Sequence, residues 1–233
     1  MGEKKNSNTV LLTVIGVATL LVALVGATFA YFTATVSQDT SAKVDVTTST
    51  LAGLEMKSYK QDAKVSNAVY PGWVGYQAVQ VKATGSSGDK ANYTLSLTAN
   101  VPAAFGTDIK YSICKVENGT TAISSDLDTT FGYNPGTVAK DEKTTPGEIH
   151  YSISNGAVSL PSSGCTAVGT ADTALASGSI EIATNKEITV GASATYDLYY
   201  ITYKYVNNTE AAQNAQGQQF TVEPVFTVNA AQN

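Results

Sequence analysis

The side chains able to do chemistry are few and scattered along this chain. Its one histidine, His150, lies in EIHYSIS. A single imidazole cannot build a zinc site of two or three histidines, and no His-Glu-x-x-His pattern occurs. No Gly-x-Ser-x-Gly elbow accompanies it for a Ser-His-acid triad, so His150 reads as a structural strand residue. Asp126 and Asp128 in SSDLDTT offer carboxylates that suit calcium. The full Asp-x-Asp-x-Asp-Gly pattern and its distal glutamate are missing, and the segment reads as a solvated acidic loop. No pair of carboxylates is marked for glycoside hydrolysis. These residues imply no enzyme, no cofactor and no metal site.

The remaining chemistry belongs to the cysteines, Cys114 and Cys165, which are able to pair in an oxidising compartment. LPSSG, from Leu160 to Gly164, has the outline of a Leu-Pro-x-Thr-Gly sorting motif. It carries serine for threonine and lacks a trailing apolar segment with a basic tail, so it reads as a turn.

Charge narrows the function classes. All 14 basic residues are lysines and the net charge is -5, which excludes the arginine-rich contacts that nucleic-acid binding uses. Only 14% of residues are charged, a surface whose weak self-repulsion permits close packing of identical subunits.

The elements that carry these residues sit behind a distinctive N-terminus. Lys4 and Lys5 precede a stretch, Asn6 to Gln38, without a charge, whose centre is VLLTVIGVATLLVALVG. Basic, apolar and then small residues are the order of an export signal, and GATFA places a cleavage site between Ala30 and Tyr31. The competing reading is a retained membrane helix, because Val10 to Phe32 suffices to cross a bilayer of ~30 Å at about 1.5 Å per residue. The expected organisation is a signal peptide over 1–30, an N-terminal extension over 31–50 and one domain over 51–233.

In that domain the apolar period is two, which predicts an all-β fold. Tyr93, Leu95 and Leu97 alternate in ANYTLSLTANV, and Ile109, Tyr111 and Ile113 alternate in DIKYSICKVENG. Asn118-Gly119 and Asn155-Gly156 predict type I′ hairpin turns. ATYDLYYITYKYV is apolar on both faces, with Tyr196, Leu198 and Tyr200 on one and Tyr199, Ile201, Tyr203 and Tyr205 on the other. It reads as a central strand covered on both sides. Pro224 in QFTVEPVFTV places the last strand at an edge or a bulge. The stretch 120–146 reads as a long surface excursion, and 167–177 as another or a short helix. Eight to ten strands in one sandwich is the economical architecture.

The export segment ending GATFAYFTATVS, the following TTSTLAGLEM, the strand-turn NAVYPGWVGYQAVQVKATGSSGDKANYTLSL and the closing YITYKYVNN with QNAQGQQFTVEPVF together resemble the TasA and camelysin family. Its members are secreted proteins of Gram-positive bacteria exported through a signal peptidase of the SipW type. Both ends of the chain carry the resemblance; the middle does not. It implies a jelly-roll-like antiparallel β-sandwich with long surface loops behind an N-terminal hydrophobic signal helix. It also implies extracellular fibres of the biofilm matrix or cell surface, built when the N-terminal strand of one subunit completes a sheet of its neighbour.

The donor strand would be Tyr31, Phe32, Thr33, Ala34, Thr35 and Val36, a β-prone segment with an apolar face and no charge. The expected partners are other copies of the chain, an accessory or anchoring subunit of the same family, and signal peptidase during export. Metalloprotease activity, assigned to camelysin-like members, is not carried over, because the zinc-ligand set is missing. The alternative is a monomeric or membrane-tethered adhesin or carbohydrate-binding sandwich that stacks sugars on Trp73 and exposed tyrosines.

Overall fold

Alternating apolar residues make half-buried strands, and this computed structural model forms ten of them among its described residues, 52–60, 69–142, 149–208, 213, 215 and 217–229. They are β1 (Gly53–Lys60), β2 (Val74–Thr84), β3 (Lys90–Asn100), β4 (Ile109–Gly119), β5 (Thr137–Glu142), β6 (Ile149–Ser154), β7 (Thr166–Ala174), β8 (Gly178–Thr189), β9 (Thr195–Tyr205) and β10 (Thr221–Asn229). One helical turn, Leu127–Thr130, and one 3-10 turn, Ala103–Phe105, complete the regular structure. The expected signal peptide and N-terminal extension fall outside the described residues.

Every strand pairing is antiparallel. A five-stranded sheet runs β1-β2-β9-β4-β7, a three-stranded sheet runs β10-β3-β8, and β5 and β6 form a separate hairpin. Consecutive strands repeatedly change sheets, so the inter-sheet core is assembled from residues far apart in the chain.

That core is where the two periods of alternation meet. β3 buries Tyr93, Leu95 and Leu97 and leaves the intervening positions half-covered. They pack with Val79 and Val81 of β2, Ile109 and Ile113 of β4, Ile182 and Ile188 of β8, and Tyr199, Ile201 and Tyr203 of β9. The result is an all-β, sandwich-like body.

A second buried cluster lies on the outer face of the five-stranded sheet, where Tyr76, Ala78, Leu198, Tyr200 and Cys114 meet Ile123, Leu127, Phe131 and Val158. β9 is thus buried on both faces, with its tyrosines divided between the two clusters as its sequence pattern requires. Tyr76 stacks on Phe131 at 4.4 Å between ring centroids. The stretch 120–146 is therefore more than a surface excursion: its apolar residues at 123, 127 and 131 form a lid over the sheet. The stretch 167–177 is mostly strand β7 rather than loop or helix.

The Asn-Gly pairs do not make type I′ hairpins. Asn118 and Asn155 take the left-handed conformation (φ 51° and 60°), but Gly119 and Gly156 do not, and a type I′ turn needs both. Asn118 sits at a register shift near the end of β4. Gly156 instead answers a close approach, since a Cβ there would lie 2.7 Å from the Gly72 carbonyl oxygen.

A second glycine is fixed by the turn over Tyr70 to Trp73, where Pro71 precedes Gly72 at φ 86° and the Trp73 amide donates to the Tyr70 carbonyl at 2.9 Å. This is the geometry of a type II turn. A Cβ on Gly72 would also strike the Ile153 carbonyl, so the turn doubles as the seat of the β5-β6 hairpin. β10 is an edge strand, the position that its Pro224 demands.

Candidate functional site

The residues singled out for chemistry do not converge. His150 pairs in register with Asp141 in the small hairpin, whereas Asp126 and Asp128 belong to the helical turn. Asp126 caps the helical turn, its Oδ1 accepting from the Thr129 amide at 3.1 Å, and hydrogen bonding from the Thr129 side chain and then from its amide holds the carboxyl below the usual range. Asp128 accepts a hydrogen bond from the Tyr76 hydroxyl, which ties the lid to β2. Both aspartates thus have structural partners. Among the described residues no group of three His, Cys, Asp or Glu is placed to hold a metal.

Cys114 and Cys165 form a disulfide with their Cα atoms 5.6 Å apart, across 51 residues of chain. Cys114 is buried in β4, and Cys165 directly follows LPSSG, which turns at Gly164 with φ 71°. The bridge stitches the lid strand-ward at its far end. Cleavage residues Ala30 and Tyr31 and donor-strand residues Tyr31 to Val36 lie outside the described residues.

One polar cluster was not visible in the sequence pattern. Asp197 of β9 is completely buried within the inter-sheet core. The Tyr93 hydroxyl donates to its Oδ2 at 2.6 Å, the Asn118 amide donates to its Oδ1 at 2.7 Å, and the Tyr199 hydroxyl lies 2.7 Å from that of Tyr93. Burial pushes the Asp197 carboxyl up, while the bonds from Tyr93 and Asn118 and the charge of Lys186 pull the other way. Burial also pushes both phenols up, so they stay neutral donors. The cluster bridges β3 to β9 and fixes the left-handed Asn118. Its one sequence signal is an aspartate at an inward position of a strand covered on both faces.

The aromatic side chains are committed to packing. Every described Tyr, Phe and Trp is buried or half-buried. Phe220 gathers Trp73, Phe105 and Tyr203 at centroid distances of 5.5, 6.0 and 6.0 Å. Within this cluster the Trp73 indole nitrogen and the Tyr205 hydroxyl are buried without a hydrogen-bond partner among the described residues. The Tyr205 phenol is pushed up to about 12 by burial, reinforced by Asp108.

The surfaces that remain able to recognise a partner are the sheet edges, which present unpaired main-chain groups. β1 carries Glu55, Lys57 and Lys60, with Lys60 paired to Glu223 of β10. β10 carries Pro224. β7 is broken by left-handed Gly169 and Asp172 and by a register shift against β4. β8 has left-handed Asn185 in its second half, Gly178 at φ 136° at its start and a register shift against β3 between Glu181 and Ala183, while Ser179 to Glu181 run in continuous register with Thr98 to Ser96.

The described residues therefore define an all-β, antiparallel, sandwich-like protein with a disulfide-stitched lid and, on its two larger sheets, four distinct edges. Comparison with family models, with curated proteins and with solved structures gives no match.

Proposed function

We propose that this chain is a secreted structural subunit of a surface or matrix filament, exported by its first 30 residues and assembled by donation of the strand Tyr31 to Val36 to a neighbouring copy. The carrying observation is the placement of an uncharged, alternating segment directly after an export-type sequence and ahead of an antiparallel body. Main-chain hydrogen bonds from such a segment supply affinity, and Phe32 and Val36 serve as apolar anchors.

Three structural features support the reading. The disulfide suits an oxidising exterior. The order β2-β9-β4-β7, with β3 beside β8 in the facing sheet, interleaves early and late strands as a jelly roll does. The described aromatics are buried or half-buried, which favours this reading over a sugar-binding one built on fully exposed rings. The same reading gives the protein a structural rather than catalytic role, with other copies and an anchoring subunit as partners.

The test compares chains starting at Tyr31 and at Ser37 by sedimentation after concentration. The longer chain is expected to pellet as polymer and the shorter to stay in solution. Equal polymerisation of both would remove the donor strand from the account.

A further inference from the structure

We infer that the acceptor for the donated strand is the outer edge of β8, over Gly178 to Ala183; this rests on the filament reading above. The two flanks of the body differ. On one flank β1 faces β10, and the inward residues of β1 are sealed, with Leu54 at 2% and Met56 at 4% exposure. The Lys60–Glu223 ion pair crosses the rim there, and Pro224 interrupts the outer strand.

On the other flank the sheets are unequal. The five-stranded sheet extends through β4 to β7, whereas the three-stranded sheet stops at β8. Tyr111 of β4 and Val168 of β7 pack on the inter-sheet core yet stay half-buried, as do Ile180 and Ala183 of β8. No described residue forms a backbone hydrogen bond with the outer edge of β8. A fourth strand laid against that edge would continue the shorter sheet and cover Tyr111 and Val168.

The occupant follows from chemistry. An added strand at this place has one face turned to apolar side chains and its backbone at the rim of the core, where an unpaired charge is costly. Tyr31 to Val36 has no charge, and Phe32, Ala34 and Val36 share a face. Glu181 is the one charge in the acceptor stretch, and it is exposed. β7 fails as acceptor because it already ends the longer sheet, where an added strand would have no strand of the shorter sheet opposite it, and β10 fails at Pro224. Residues 37–51 join the donor to β1 with an extended reach on the order of 50 Å, enough to pass from one copy to the next.

The experiment uses the chain from Tyr31 with its native disulfide intact. Thr33→Cys and Thr35→Cys are each combined with Ser179→Cys on β8 or with Thr227→Cys on β10, and polymer is examined by non-reducing denaturing electrophoresis. A reducible ladder of dimers and higher species with Ser179→Cys, and none with Thr227→Cys, is the expected result. Fibres that ladder through Thr227→Cys, or through neither, overturn the β8 acceptor and leave the filament reading standing. A crosslink closed within single chains shows that the strand pairs at home and overturns both. Failure of the cysteine-unaltered chain to polymerise overturns the filament reading itself, and the acceptor with it.

Discussion

The two faces of the five-stranded sheet are buried by different means. The inner face meets the alternating apolar residues of β3, β8 and β10, so strand period aligns most of the core, with two register shifts between β3 and β8. The outer face is covered by a helical turn, an irregular loop and a single bridge, with Phe131 set between Tyr76 and Tyr200 as its anchor. A regular interface propagates order along whole strands; an irregular one depends on a few long-range ties. Loss of one tie should therefore spread through the lid but add independently to damage in the core.

The largest expected effect comes from Cys114→Ser with Cys165→Ser. Opening a loop of this span lowers unfolding free energy by about 4 kcal/mol in the chain-entropy model. Chemical denaturation measures the loss, and hydrogen exchange should show faster exchange at the Phe131 and Ser159 amides, both held in lid hydrogen bonds, before β3. Early exchange in β3 would break the distinction.

Next, Leu97→Ala should cost about 3 kcal/mol, a typical value for a fully buried leucine. Its cost should add to the disulfide loss within about 0.5 kcal/mol, while Phe131→Ala, which shares the lid with the bridge, should not. A double-mutant cycle by urea denaturation decides between them.

A third effect depends on pH. The Asp197 carboxyl is raised in the folded chain, so the folded state holds its proton more tightly than the unfolded one. Its stabilising contribution is full below the unfolded carboxylate value and is lost as pH rises through the raised folded value. Asp197→Asn lacks this term. The stability gap between the native chain and the variant should therefore shift in the variant's favour as pH rises across that window. A gap that stays constant in denaturation curves at several pH values would mean that Asp197 does not titrate there. The smallest effect belongs to Lys60→Ala, which removes an exposed ion pair and should cost about 0–1 kcal/mol.

The same contrast explains what the sequence disclosed. Tyr93, Leu95 and Leu97, the divided tyrosines of β9 and the edge position of Pro224 were legible because period two and a missing amide are local properties. The lid was not, because Ile123, Leu127 and Phe131 are spaced for a turn that only the sheet beneath them makes stable. β7 was missed because small polar residues fill it, with Val168 its one large aliphatic side chain and Gly169 and Asp172 interrupting it. The Asn-Gly pairs misled because each answers a tertiary demand: Asn118 donates to Asp197, and Gly156 clears Gly72. Of the candidate site, the cysteine pair was visible as an option and the Asp197 cluster was not.

The filament claim is tested most directly by negative-stain electron microscopy of the purified chain beginning at Tyr31, concentrated at mildly acidic and at neutral pH. Regular fibres of uniform width are the predicted result. Monodisperse particles of single-subunit size under every condition would contradict it.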